Sequence, residues 1–308
     1  MNTHSNAMPG SSLDAQGIAP ALSAARPMYW SLQRELWEHR SIYVAPLAAA
    51  ALFLFGFLIS LIHLPAKVRA VAVNPGLQYS LIERSYMFAA LLIMATTFIV
   101  ALFYCLDALY GERRDRSILF WKSLPVSDVT TVLSKASIPI FILPLLTFAI
   151  TVALWIMMWL LSSAVLRGSG LSMPTEPFHF SLFQMSLMLF YHLLGIHGLW
   201  YAPIYGWLIL VSACARRAAF LWATVPLLAI GIVEKIAFNT SHFAGMLGYL
   251  FNGGGEPMGS KATGIDALLM PNLSLSQFLV SPGLWIGLAV TAAFLFAAVR
   301  LRRYREPI

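Results

Sequence analysis

Charge is scarce in this chain. Of 308 residues only 20 are Lys or Arg and 13 are Asp or Glu, or 11%, where soluble globular domains run nearer about 25%. A surface that thinly charged excludes an ordinary water-soluble domain. Cysteine is scarcer still. Cys105 and Cys214 lie in or beside apolar runs with no CxxC spacing, which excludes a disulfide framework and leaves them as small packing residues. No GxxxxGK motif ending in Ser or Thr occurs, so no ATP hydrolysis is expected from the chain itself. No HExxH occurs either, which removes the helical zinc-protease pattern. The N-terminus lacks the charged, apolar and small-residue order of a cleavable signal. Residues 1–27, rich in Ser, Ala, Gly and Pro, are expected to be a disordered cytoplasmic segment.

What the chain has instead is long apolar runs, with 59% hydrophobic residues overall. A helix needs about 20 apolar residues to cross a ~30 Å hydrocarbon core, and six stretches qualify. They are Ile42–His63, Tyr86–Leu109, Ile138–Leu161, Met185–Ala213, Phe220–Phe238 and Leu284–Val299. The fourth is long and holds Gly195, Gly198 and Pro203. Its reading is one kinked or tilted helix, with two half-spans as the alternative.

Charge asymmetry supports six. With both termini inside, fourteen of the 20 basic residues fall on the cytoplasmic side, from Arg26, Arg34 and Arg40 to Arg300, Arg302, Arg303 and Arg305. Lys67, Arg69, Arg84, Arg167, Lys235 and Lys261 remain outside. Lys and Arg excess in short loops marks the cytoplasmic side, and splitting the fourth span would spoil the bias. The net charge of +7 is thereby explained by topology, and no nucleic-acid partner is expected.

Ahead of the first span, residues 28–41 include "YWSLQRELWEHRS". Trp30, Leu36 and Trp37 alternate with Arg34, Glu38 and Arg40, the pattern of an amphipathic helix lying in the inner interface. A plain cytoplasmic extension of the first span is the alternative. Residues 239–283 form the longest outer segment, Gly-rich and half apolar. Either it is a loop or it holds short helices that re-enter the membrane, which backbone chemistry permits only where protein or water shields it.

Ionisable groups inside spans are costly and mark functional candidates. His192 and His197 are five apart, about 140° around an α-helix. They are therefore expected not to share a metal-binding face, and no metal is expected. Helix–helix hydrogen bonds or the lining of a polar pathway are their candidate roles. Glu234 either lines a pathway or reaches the outer interface, and Asp107 reaches the inner one. No buried acid recurs from span to span, which counts against a proton-coupled carrier.

The segment "GERRDRSILFWKSLPVSDVTTVLSK", residues 111–135, gathers eight of the 33 charged residues. Glu112 to Arg116 continue the second span's helix past the membrane as a charged stalk. Ile118, Leu119, Phe120, Trp121 and Leu124 form an apolar cluster. Pro125 then breaks the helix, and Ser127 followed by Asp128 suits the start of the next one. The segment reads as helix, elbow and helix. Its alternative is a basic-aromatic loop resting on anionic lipid.

On these residues the chain resembles the permease subunits of type-2 ABC transporters. Leu124, Pro125, Val126, Ser127 and Lys135 match the loop between that family's second and third spans. "RELWEHR" resembles its interfacial elbow. The chain departs from the family at Ser117, where Gly-Thr is frequent, and at Asp128, where a basic residue is common. The resemblance implies that Ile118, Leu119, Phe120, Trp121, Leu124, Pro125 and Ser127 form a coupling helix docking on a separate ABC ATPase subunit, which would bind the ATP and Mg. It also implies that Arg113, Arg114 and Arg116 position the stalk at the lipid surface, a second permease copy or paralogue, re-entrant helices within 239–283, and no cofactor in this chain.

The reading is therefore an all-α integral membrane protein of the cell inner (plasma) membrane. It has six transmembrane helices, N-in and C-in, an interfacial helix at 28–41, a permease domain at 42–300 and a basic tail at 301–308. The function implied is an ATP-driven ABC exporter's permease, itself not an enzyme. The alternatives are a membrane-embedded enzyme using His192 and His197, and an ATP-independent secondary transporter.

Overall fold

Apolar backbone away from water must satisfy its own hydrogen bonds, and a helix does this within one segment. The computed structural model describes residues 25–70, 75–118, 120, 126–170, 182–251 and 275–304, and no strand occurs among them. Six helical stretches are long and apolar enough to cross a membrane: Ser41–Leu61, Arg84–Arg114, Asp128–Gly168, Leu182–Trp200, Ala219–Phe238 and Pro282–Tyr304.

The elements run as follows. Helix α1 (Ala25–Glu38) leads through His39 and Arg40 into α2 (Ser41–Leu61), the first span. Helix α3 (Leu64–Ala70) follows, then α4 (Pro75–Asp107) and the short α5 (Tyr110–Arg114), which make the second. Helix α6 (Asp128–Ser137), a π-helical stretch Ile138–Ile142 and α7 (Leu143–Gly168) form the third. Helix α8 (Leu182–His192), a second π-helical stretch Leu193–Trp200 and α9 (Ala202–Cys214) succeed one another along the fourth run. Helix α10 (Ala219–Phe238) is the fifth span and α11 (His242–Phe251) follows it. Helix α12 (Leu275–Val280) precedes α13 (Pro282–Tyr304), the sixth.

Prolines account for the interruptions. Pro144 has no N–H, so the carbonyl of Ile140 loses its usual donor four residues on. The ladder resets locally, and the Leu143 N–H bonds the Ile138 carbonyl, five residues back. In the fourth run Pro203 deprives the Leu199 carbonyl in the same way, and the Tyr201 N–H bonds Ile196 at 3.1 Å. Insertions of this kind are short π-helical stretches in otherwise α-helical segments. The two π stretches face each other. A Cβ built on Gly198 would stand 2.5 Å from the freed Ile140 carbonyl, so glycine permits this approach.

Packing falls into two main clusters. One, at the charged end of the bundle, joins Ile42, Tyr104, Cys105, Val132, Leu143, Tyr205, Ile209 and Ala298. The other, toward the opposite end, joins Tyr86, Ile93, Trp155, Met158, Met185 and Leu189. There the Trp155 indole donates to the Tyr86 carbonyl at 3.0 Å. Helices α9 and α13 lie close because Gly206 meets Thr291, where a Cβ would be 3.3 Å from the threonine methyl. Small residues let membrane helices approach in this way. Helix α10 stands apart, with only Ala219 and Ala223 buried.

Candidate functional site

The segments flanking the loop at 115–127 converge on a buried cluster of charges. Lys135, on α6, places its Nζ 2.8 Å from Glu35 of α1 and 3.2 Å from Glu112 of α5. Glu112 also accepts from Arg34 of α1 at 3.1 Å and from Arg302 of α13 at 3.1 Å. Arg302 turns its other Nη to Asp128, the first residue of α6. Arg34 closes the ring on Glu35 at 2.7 Å, and the Tyr104 hydroxyl donates to the second Glu35 oxygen at 2.9 Å.

Among the described residues, three carboxylates, Glu35, Glu112 and Asp128, thus face three cations, Arg34, Lys135 and Arg302. That balance is what makes the burial tolerable. The side chains of Glu35, Lys135, Glu112 and Arg302 are all no more than 4% exposed. An unpaired ion there would carry several kcal/mol of desolvation cost, by the usual ~3–5 kcal/mol scale for broken buried pairs. Burial pushes the Glu35 carboxyl up, but Lys135 and Arg34 beside it outweigh that and hold it below its ordinary range.

The cluster is also a junction. Glu112 stands just before the loop, while Asp128 and Lys135 stand just after it. Through these residues the two loop ends are tied to each other, to α1 and to the end of α13. Sequence reasoning noted Lys135 as a motif residue but missed Glu35, Glu112, Asp128 and Arg302 as its cluster. The available signal was opposite charges recurring at the same end of four helices in a chain with so few.

Of the residues assigned to partner docking, Leu119, Trp121, Leu124 and Pro125 lie outside the described residues. Ile118 is buried against the chain itself, and Phe120 is 60% exposed. Ser127 caps α6: its φ of −70° and ψ of 148° are extended, and its Oγ accepts from the Thr130 N–H at 3.1 Å.

The stalk arginines separate. Arg113, expected at the lipid surface, is buried and donates to the Ala213 carbonyl at the end of α9. It ties the second span to the fourth. Arg114 is exposed and pairs with Asp115 at 2.9 Å. Arg116 is exposed and takes a left-handed φ of 57° at the turn after α5.

His192 and His197 do come together, against the expectation from α-helical spacing. Their ring centroids are 5.4 Å apart. The reason is the π register between them, in which residues five apart stack along one face. Among the described residues the Nδ1 atoms of both are buried and meet no hydrogen-bond partner. His197 packs edge-on against Phe98 and Tyr201, at 6.2 and 5.3 Å. Beside it Thr147 donates to Thr97 at 2.9 Å. Among the described residues no group of three or more His, Cys, Asp or Glu side chains is placed to hold a metal ion.

Glu234 organises the turn after the fifth span. Its carboxylate accepts from the Thr240 hydroxyl at 2.8 Å and from the N–H groups of His242 and Phe243 at 2.7 and 2.8 Å. It therefore caps α11 across the chain reversal at Asn239, whose φ is 52°. The far end of α11 returns to the fourth run, where the Trp200 indole donates to Leu250 at 2.9 Å and Tyr201 to Phe251 at 3.0 Å.

Comparison of the chain with protein-family models, curated proteins and solved structures finds no match.

Proposed function

We propose that this chain is the membrane-spanning permease subunit of an ATP-driven exporter of the type-2 ABC class, with the loop at 111–135 as its coupling element. The observation that carries the reading is the charge junction at the loop's two ends. A loop that only rested on lipid would have no need for both ends to be locked to α1 and α13 through buried ion pairs. A loop that receives force from a partner would need that lock.

In this reading both termini and the charge cluster face the cytoplasm, and α1 is the interfacial elbow. Helix α11 re-enters the membrane from the outside, supported by its return to Trp200 and Tyr201. A separate ATPase subunit binds ATP and Mg, hydrolyses the nucleotide and pushes on the loop's apolar residues, Phe120 and Trp121 among them. The push passes through Glu112 and Lys135 as a rigid unit, since buried, mutually paired charges resist separation. Elbow, second, third and sixth spans then move together, and a second permease copy or paralogue completes the pathway. The chain contributes no catalytic group.

Co-purification tests this directly. The chain, expressed with the ABC ATPases of its own cell, is expected to retain one of them through purification, and Trp121→Glu or Leu119→Asp to release it. Retention of the complex and of its transport-coupled ATP hydrolysis by both variants would overturn the docking assignment.

A further inference from the structure

A cavity of about 10 Å³ lies inside the bundle, beside the two π stretches. That is the scale of one water, which needs roughly 10–15 Å³, and far below the roughly 300–1,000 Å³ of sites for drug-sized ligands. Met94 and Thr97 line it from α4, Thr147 from α7, and His197 and Tyr205 from the fourth run. Of these, Met94, Thr97, Thr147 and Tyr205 are no more than 5% exposed.

The hydroxyl protons there are already committed. Thr97 donates to the Ile93 carbonyl at 2.8 Å. Thr147 has one proton to share between the Leu143 carbonyl at 2.8 Å and the Thr97 oxygen at 2.9 Å. Tyr205 donates to the His197 carbonyl at 3.0 Å. Among the described residues nothing donates to the Thr147 oxygen, and nothing meets the buried His197 Nδ1. A neutral imidazole carries one N–H and one lone pair. Whichever of the two Nδ1 holds, a buried polar group stands unsatisfied, which native interiors rarely tolerate.

The same inventory says what fits. No Asp, Glu, Lys or Arg is among the described residues lining the cavity. An ion would enter with no partner for its charge, a costly arrangement within a span. An apolar guest would leave both polar groups unmet. Water has two protons and two lone pairs, so it serves either form of the imidazole while donating to Thr147.

We propose that this cavity holds one ordered water, hydrogen-bonded to the His197 imidazole and to the Thr147 hydroxyl. The water ties α7 to the fourth run inside the bundle, and Thr97 joins α4 to it through Thr147. His197 is then an interhelical link rather than the lining of a route for solute, since the space admits nothing larger than the water. The proposal rests on packing alone and is independent of the permease reading.

The test is X-ray hydroxyl-radical footprinting of the full chain in phosphatidylcholine nanodiscs. Irradiation splits a bound water where it sits, and the radical oxidises side chains that touch the site. Met94, 3% exposed, lines the cavity, and oxidation turns its thioether into the sulfoxide. Met158, 0% exposed and absent from the lining, is the internal control. Mass spectrometry should find Met94 oxidised and Met158 intact. His197→Phe and Thr147→Val each remove a partner of the water and keep most of the volume. Apolar cavities stay dry, so each variant should lose the Met94 label, with the tryptophan-fluorescence melt showing that it is folded.

Wild-type Met94 no more oxidised than Met158 would overturn the proposal by itself. So would undiminished oxidation of Met94 in either folded variant, the mark of access from bulk water. A copper or silver ion retained through dialysis by the wild type and lost in His197→Phe would also overturn it, by making this a metal site. A variant that fails to fold labels both methionines alike, and the wild-type contrast then decides.

Discussion

Replacing Lys135 with methionine isolates the central structural element. The ammonium lies between two carboxylates, at 2.8 Å from Glu35 and 3.2 Å from Glu112. Methionine keeps most of the stem volume and removes the charge. Glu35, Glu112 and Asp128 then share Arg34 and Arg302, with one negative charge in excess. Breaking a buried pair by removing one partner costs about 3–5 kcal/mol, because the other ion stays buried and uncompensated. The thermal midpoint of the purified chain, read by intrinsic tryptophan fluorescence, should fall by several degrees.

The double variant Glu35→Gln with Lys135→Met removes that excess charge, and the glutamine still accepts from Tyr104. It should recover much of the loss. Contacting charges of this kind give coupling energies of roughly 0.5–3 kcal/mol in double-mutant cycles. A Lys135→Met variant that melts with the wild type, or a double variant worse than the sum of the singles, would refute the account of the cluster.

Three further outcomes follow from the geometry. Glu35 is held below its ordinary range, so its contribution is fully present above its unfolded value, near 4.5, and is lost as pH falls from there toward the folded value. Thermal midpoints should therefore be flat from neutrality to about pH 5 and fall below it, and the fall should be smaller in Glu35→Gln. Gly198→Ala puts a methyl against the Ile140 carbonyl, where the ideal position is 2.5 Å away. It should destabilise by about 1–3 kcal/mol as an overpacked contact, whereas Gly56→Ala, with nothing within 4 Å, should be tolerated. In Glu234→Ala the N–H groups of His242 and Phe243 lose their acceptor. Hydrogen exchange at the start of α11 should quicken there while α10 exchanges as in the wild type.

The spans were legible because hydrophobic run length is a local property. Six helices are long and apolar enough to cross a membrane, as six runs were read, but the fourth run is not one kinked helix: it divides at Tyr201 into Leu182–Trp200 and the shorter Ala202–Cys214. Ser127 as a helix cap was legible for the same reason, since its partner Thr130 is three residues away. The charge cluster was not, because its pairs join residues as far apart as Glu112 and Arg302, and only tertiary packing brings them together. Arg113 was read as a surface residue from its charged neighbours, yet the end of α9 covers it. The histidine pair was misread through an assumed 3.6-residue period. The prolines that break that period, Pro144 and Pro203, were in plain view in the sequence. Their effect on the register needed the neighbouring helix, whose Gly198 admits the freed carbonyl of Ile140.

The central claim is that the loop at 111–135 touches an ATPase. A photoreactive benzoyl-phenylalanine at Phe120, 60% exposed, addresses it in living cells that express the chain. Residue Phe183, 75% exposed toward the other end of the bundle, serves as the control position. Irradiation should give one dominant cross-linked protein from position 120, identified by mass spectrometry as an ABC ATPase, and none of it from position 183. Cross-linking from position 120 to lipid alone, or to the same products as position 183, would contradict the claim.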